Sequence, residues 1–307
     1  MPWSKKGLKM DIFITIEQEC TECRPFTCDR PVALLRVLER SLLERHLDLL
    51  EGSVSQVGIA AGKWQSQIQN LLAARRSRLD LVYVDPPPKG SLCLQSDSLY
   101  PHAGIAAELD GSCEHLEDGY FRVRYPWNLL EANVAEVRKL PDFRGGQIED
   151  GVTIRGPIHI AEGAVIKSGC YIEGPAYIGP RSVIGPLAHI RPDTIIESDC
   201  VIGKAELYDC LIMRGTTCKH QAYIGHSIVG ESVNIGAGLI TADYRHDAGE
   251  HTTVVNGEKV KTGRTKLGAF IGDGVHTGIG TLIYPGRKLW PKLGTLPGEV
   301  VKADKNV

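Results

Sequence analysis

The sequence predicts two domains in tandem, an α/β domain over residues 1–140 and a parallel β-helix over residues 141–307. Three observations carry this reading. Isoleucine stands at every sixth position from Ile148 to Ile202, ten times in register. The chain holds 34 Gly and 17 Pro against 5 Phe, so turns are many and the core is aliphatic. The first 140 residues alternate strand-like and helix-like runs instead. The bulk numbers agree with a globular chain: 307 residues, 42% apolar, 23% charged, net charge -2. With 35 Lys and Arg against 37 Asp and Glu there is no field to draw it to a nucleic acid.

In chain order, strands are expected at 11–16, 54–60 and 79–84, and helices at 31–50 and 64–74. Lys5, Lys6 and Lys9 precede an apolar stretch, Ile12 to Ile16, that is too short for a signal-peptide core and runs into Glu17 and Glu19. No run approaches the roughly 18 apolar residues of a membrane span, so no membrane partner is expected and the cytoplasm is the expected compartment. The basic run Ala74 to Arg78 reads as a solvated helix end. Nine scattered cysteines, an odd number, read as reduced thiols. Cys20, Cys23 and Cys28 lack a fourth ligand at finger-like spacing, so no metal is expected there. Cys170, Cys200 and Cys210 fall inside the repeat as small buried thiols.

A helical period of 3.6 cannot keep positions six apart on one face, whereas a short strand plus a turn can. Three such units close a triangular coil and stack each Ile on the Ile of the next coil. Each buried Ile contributes on the order of 1.5 to 3 kcal/mol, and the ladder between coils satisfies the backbone. The register slips between Leu207 and Met213 and recovers at Ile224. A non-repeat excursion, Thr241 to Lys266, carries Arg245, His246, Lys259, Lys261, Arg264 and Lys266. On charge alone it is equally an anion-binding loop and a solvated hairpin.

From Arg191 onward the strings RPDT, CKHQAYIGHS (from Cys218), VGESVNIGAGLITADYRHD (from Val229) and TGRTKLGAFIGDGVHTGI (from Thr262) resemble a known family. It is the acetyltransferase half of the bifunctional N-acetylglucosamine-1-phosphate uridyltransferase/glucosamine-1-phosphate acetyltransferases, together with the archaeal sugar-1-phosphate nucleotidylyltransferases that share this domain. The resemblance implies a left-handed coil, a homotrimer, and acetyl transfer from acetyl-CoA to the amine of a hexosamine 1-phosphate, with no metal. It places His220 at the position of the general base, a role that the ordinary pKa of histidine suits. It places Arg191, Tyr223, Asn234 and Asp243 on the sugar phosphate, and Ala237, Tyr244, Lys261, Arg264, Lys266 and Gly278 along the cofactor. Two positions depart from the bacterial pattern: Asp243 stands where an Asn is usual, and Tyr208 where a Lys is. Lys204 and Lys219 are further cations that could meet the phosphate. His226, His189 and His159 read as surface histidines.

The segment from Arg24 and the segment from Tyr120 resemble the opening and closing parts of sugar nucleotidyltransferases, with the middle missing. What supplies that family's sugar pocket and metal-binding Asp would have to fit between Pro86 and Gly119. The glycine-rich phosphate loop is replaced by IEQECTECRPF: Gln18 and Cys20 stand in place of glycines, Glu22 in place of the key Arg, and Val32 in place of a Lys. Carboxylates at a triphosphate site repel it, so nucleotidyl transfer is expected to be lost. Two other readings stay open. One is a non-catalytic regulatory partner that binds a nucleotide sugar. The other is a zinc enzyme, for which His220 and His226 lack a third ligand.

Overall fold

The computed structural model describes residues 12–73, 75, 78–89, 91–99 and 121–306. The N-terminal lysines, part of the Ala74–Arg78 run, and most of the segment expected to hold a sugar pocket lie outside the described residues. The chain divides into two compact units. The first comprises residues up to Cys20, Asp29–Arg36 and Arg40–Arg124. The second comprises Tyr125–Val307 with two short earlier segments, Thr21–Cys28 and Val37–Glu39.

In the first unit, Asp80–Tyr83, Gln56–Ala60, Ile12–Thr15 and Leu92–Gln95 form a four-stranded parallel sheet in that order. Helix α1 (Leu42–Leu50) and helix α2 (Gln65–Leu72) connect its strands. The helix expected over 31–50 is shorter. Leu38 and Glu39 adopt left-handed φ of 47° and 68°, which no helix accommodates, and α1 starts only where Ser41 and Glu44 form a reciprocal capping box. Its buried stripe is Leu43, His46, Leu47 and Leu50. With Ile12, Ile14, Val57, Ile59 and Leu94 this stripe surrounds the core of the unit.

The second unit is the parallel β-helix. Its chain visits three sheets in turn, of five, eight and eight strands. The first face begins at Gln147–Ile148 and the second at Thr153–Arg155, while the third opens at Phe143–Arg144 and continues at Ile158–Ile160. Ile166, Ile184 and Ile202 stack inward on the first face, Ile172 and Ile190 on the second, and Ile160, Ile178 and Ile196 on the third, all wholly buried. The slip near Leu207 is not a break. Ile190 pairs with Leu207, seventeen residues on, where Ile172 pairs with Ile190, eighteen on. Ile196 pairs with Ile212, only sixteen on, so this coil has lost one residue at each of two corners.

The corner between the second and third faces carries a column of left-handed residues. Asp193, Asp209 and His226 have φ of 61°, 43° and 48°, and they stack because Ile195, Leu211 and Ile228 pair in successive coils. Asp and His tolerate this conformation better than branched residues do.

The outward columns of two faces differ in what covers them. On the third face, Ile195, Leu211, Ile228 and Phe270 point outward yet are completely buried. Helix α3 (Pro126–Val137) packs over them, and the Trp127 ring lies 6.3 Å from Phe270. On the second face, the outward Ile240, Leu282 and Val300 are 47%, 40% and 40% exposed, and nothing in the described chain covers them further.

The excursion from Thr241 leaves at the end of the second face and contains an antiparallel hairpin, Thr252–Val255 with Glu258–Lys261. Asn256 and Gly257 turn it with φ of 51° and 85°, the pair of positive values that a two-residue hairpin turn requires. The hairpin is anchored and does not simply wave in solvent. Thr253 is buried and donates to Gly286 O, and the buried Lys288 ammonium donates to Thr253 Oγ1 and Val254 O.

Candidate active site

The ladder register places the expected residues on two edges of the prism. Thr217, Asn234 and His276 pair across successive coils of the first face. Three residues further along each coil come His220, Ala237 and Ile279, so these share the corner between the first and second faces. Consecutive coils are about 4.8 Å apart. His220 is exposed at this corner. Gly203 lets the neighbouring coil pass close beneath, because a Cβ there would lie 2.0 Å from Lys219 O. The corner is drawn tight by backbone contacts: Gly238 N–H donates to Gln221 O at 2.5 Å and Gly280 N–H to Ala237 O at 2.7 Å. A Cβ on Gly236 would meet Thr277 O at 2.5 Å and Gly278 O at 2.6 Å, so only glycine fits the NIGAG turn at that position. Asn234 faces outward from the first face, where its Oδ1 accepts from Thr217 Oγ1 at 2.9 Å.

The second group gathers around the corner of the second and third faces. Tyr223 points outward from the second face, and its hydroxyl donates to Asp243 Oδ2 at 2.9 Å. Burial, and after it the Asp243 carboxylate, hold the Tyr223 pKa well above the ordinary phenol value. Arg191 donates to Glu206 Oε1 at 3.0 Å, and its guanidinium carbon lies 4.0 Å from the centre of the Tyr208 ring. The Lys266 ammonium lies 5.5 Å from the same ring. Both cations thus lie within reach of the Tyr208 ring. Tyr244 is 54% exposed and bridges to Lys266, and Lys261 is exposed at the end of the hairpin.

Two side chains are engaged differently from what the sequence suggests. The Arg264 guanidinium already serves two carboxylates, Glu131 Oε1 at 3.0 Å and Asp209 Oδ2 at 3.2 Å. His226 is not a surface histidine: it is 4% exposed, with Nδ1 2.7 Å from Asp209 Oδ2. The left-handed corner turns its ring back into the wall. Its only trace in the sequence is the five-residue spacing that shortens the neighbouring coils. His189 does lie nearer the surface, 3.1 Å from Glu173 Oε2, and His159 is sandwiched between the Phe143 and Tyr177 rings.

Within one chain, then, Arg191, Tyr223, Asp243, Tyr244 and Lys266 converge on one corner. His220, Ala237 and Gly278 line the other, and the width of the second face lies between them. Among the described residues no group of three His, Cys, Asp or Glu side chains is placed to hold a metal ion. No helix among them is long and apolar enough to cross a membrane.

Residues 172–277 match the family model described as the GMPPB C-terminal domain. The bifunctional sugar-1-phosphate nucleotidylyltransferase/acetyltransferase of Sulfurisphaera tokodaii is 42% identical over 190 residues, 61% of this chain and 47% of that protein. The bifunctional protein GlmU of Methanococcus vannielii is 38% identical over 72% of this chain and 50% of its own length. That of Methanococcus maripaludis strain S2 is 44% identical over 56% and 42% respectively. The chain spans about half the length of the curated relatives it matches. Over its β-helix the chain is thus similar to the bifunctional sugar-1-phosphate nucleotidylyltransferase/acetyltransferases and matches the model of the GMPPB C-terminal domain.

Proposed function

We propose that the protein is an acetyl-CoA-dependent N-acetyltransferase acting on a hexosamine 1-phosphate. What supports this is the similarity of the β-helix to the bifunctional nucleotidylyltransferase/acetyltransferases, together with His220 and Ala237 at one corner of the prism, Asn234 on the adjoining first face and Tyr223 with Asp243 across the second face. In this reading the amine nitrogen of the sugar attacks the thioester carbonyl carbon of acetyl-CoA. His220 takes the proton that the nitrogen sheds as the C–N bond forms. The tetrahedral adduct collapses with cleavage of the C–S bond, and the CoA thiolate leaves and takes up a proton. Arg191, Tyr223, Asn234 and Asp243 hold the sugar phosphate. Ala237 and Gly278 line the pantetheine arm, with Tyr244, Lys261 and Lys266 on the cofactor side, while Arg264 is held by Glu131 and Asp209.

The proposal includes a homotrimer. The two halves of the residue set lie on opposite edges of the second face, and the apolar Ile240, Leu282 and Val300 lie exposed between them. A neighbouring copy packed on that face would bury this strip and bring one chain's His220 edge against another's Tyr244 and Lys266 edge. Nucleotidyl transfer is proposed lost, because Gln18, Cys20 and Glu22 replace the groups a triphosphate needs.

The test is release of free CoA thiol from acetyl-CoA with glucosamine 1-phosphate and galactosamine 1-phosphate, for the wild-type protein and His220→Ala. Release that needs both the amino sugar and His220, lowered about 10² to 10⁴-fold in the variant, supports the proposal. Acetyl-CoA binding without turnover on either sugar overturns it and favours a regulatory protein that binds nucleotide sugars.

A further inference from the structure

His226 stands outside the residues that the resemblance assigns, yet it is the most heavily flanked side chain of the site. Its Nδ1 lies 2.7 Å from Asp209 Oδ2 and its Nε2 lies 3.5 Å from Asp243 Oδ2. The Tyr208 ring closes over it edge-on, with centroids 4.8 Å apart. Nε2 is buried and makes no hydrogen bond shorter than its 3.5 Å approach to the Asp243 carboxylate. Asp243 in turn accepts the Tyr223 hydroxyl on the same Oδ2. The other end of the chain is fixed as well, because Arg264 ties Asp209 to Glu131 of α3. A rigid line therefore runs from α3 through Arg264, Asp209 and His226 to the Asp243–Tyr223 pair.

The physical logic is that of a ligand carboxylate held by a second group. An imidazole whose Nδ1–H donates to Asp209 can hold Asp243 Oδ2 only through a second N–H at Nε2, so the contact is that of an imidazolium lying between two carboxylates. An Asp243 so held presents its remaining lone pairs, with the Tyr223 hydroxyl beside them, in one orientation. A carboxylate only accepts hydrogen bonds, so this pair selects donor groups on the acceptor, a sugar hydroxyl or the amine itself. Its counterpart with an Asn could donate as well.

We propose that His226 is a positioning residue of the acceptor-sugar subsite: it fixes Asp243 and, through it, the Tyr223 hydroxyl against the bound amino sugar. This rests on the acetyltransferase reading above and adds to it a residue and a direction of specificity. The test uses His226→Asn in the full chain. Asn tolerates the left-handed corner, so the turn is kept, but its shorter side chain does not reach Asp243. The result expected is a KM for glucosamine 1-phosphate raised about tenfold with the KM for acetyl-CoA within about twofold of wild type. Asp243→Asn is expected to do the same, and the double variant to be no worse than the worse single one, the mark of two residues acting as one unit. An unchanged sugar KM overturns the proposal, and so do both KM values rising together with a lowered melting temperature. If the wild-type protein transfers no acetyl group, the functional reading fails by itself, and the positioning claim is decided by ultraviolet titration of Tyr223, assigned with Tyr223→Phe. Freed of a fixed Asp243, Tyr223 is expected to ionise at clearly lower pH in His226→Asn, and an unchanged titration overturns the claim.

Discussion

Tyr223 and Asp243 meet hydroxyl to carboxylate at 2.9 Å across a glycine that leaves them the space to do so. A Cβ on Gly225 would lie 2.6 Å from both Asp243 Oδ2 and the Tyr223 hydroxyl, and 3.0 Å from Tyr223 Cζ. Gly225 does not sit at positive φ, so the demand at this position is steric alone. Gly225→Ala is therefore expected to part the pair, raise the KM for the amino sugar about tenfold and cost about 1 to 3 kcal/mol in urea unfolding, the usual penalty of an overpacked site. An alanine variant with wild-type KM would show that the pair is not part of the acceptor subsite.

The thiols of the solenoid interior make a second prediction. Burial pushes the Cys200 and Cys218 thiols up to about 12 and the Cys210 thiol higher still. The thiolate is the reactive species, so these three are expected to stay unmodified by iodoacetamide at pH 8 for as long as the coil is closed, and to react at once in denaturant. Cys28 and Cys93, both partly exposed, are expected to be modified first. Mass mapping of the alkylated peptides checks the order. Early labelling of Cys200 or Cys218 would mean that the coils open locally.

His46 ties the stability of the first unit to pH. It is 1% exposed on α1, and burial lowers its pKa from 6.5 to about 4. The unfolded chain therefore binds a proton between about pH 6.5 and pH 4 that the folded unit refuses. Its share of stability is complete above pH 6.5, is lost as the pH falls to about 4 and is constant below. The loss amounts to about 3 kcal/mol at most. Urea midpoints measured across this range are expected to fall with pH in the wild type and to fall less in His46→Gln. Parallel profiles would remove His46 as the cause.

The fold was legible because its period was. Ile148 to Ile202 name the inward positions one by one, and the structure buries Ile160, Ile166, Ile172 and their successors as the spacing demands. The corners were less legible. A coil shortened at two corners reads as a lost register near Leu207, and nothing in the string shows that Asp209 and His226, which turn successive coils, stack into one wall. The same limit applies to Ile195, Leu211 and Ile228. They are outward by register and buried only because α3, distant in sequence, covers them. Positions along one coil follow from local spacing, whereas what lies over a face or under a corner is decided by tertiary contact. Within residues 31–50 a helix forms over Leu42–Leu50 alone. Its start was set by the Ser41 cap and by two left-handed residues before it.

Arg264 and Lys266 separate the structural from the cofactor-binding part of the excursion. The Arg264 guanidinium is 18% exposed and lies between Glu131 and Asp209, so Arg264→Ala leaves two half-buried carboxylates without their shared cation. Removing one partner of such a pair costs about 2 to 4 kcal/mol when it is largely shielded from water. The Lys266 ammonium is exposed and stands 5.5 Å from the centre of the Tyr208 ring. Lys266→Ala is thus expected to leave the melting temperature within a degree or two of wild type while raising the KM for acetyl-CoA several-fold, as the loss of one exposed cation facing a phosphate does. Arg264→Ala is expected to do the reverse, lowering the melting temperature by several degrees with little change in that KM. Thermal scans and initial rates on the two variants side by side decide it. If Arg264→Ala raises the acetyl-CoA KM without a change in stability, its guanidinium leaves Glu131 and Asp209 for the cofactor, and the line from α3 to His226 is not fixed in the working enzyme.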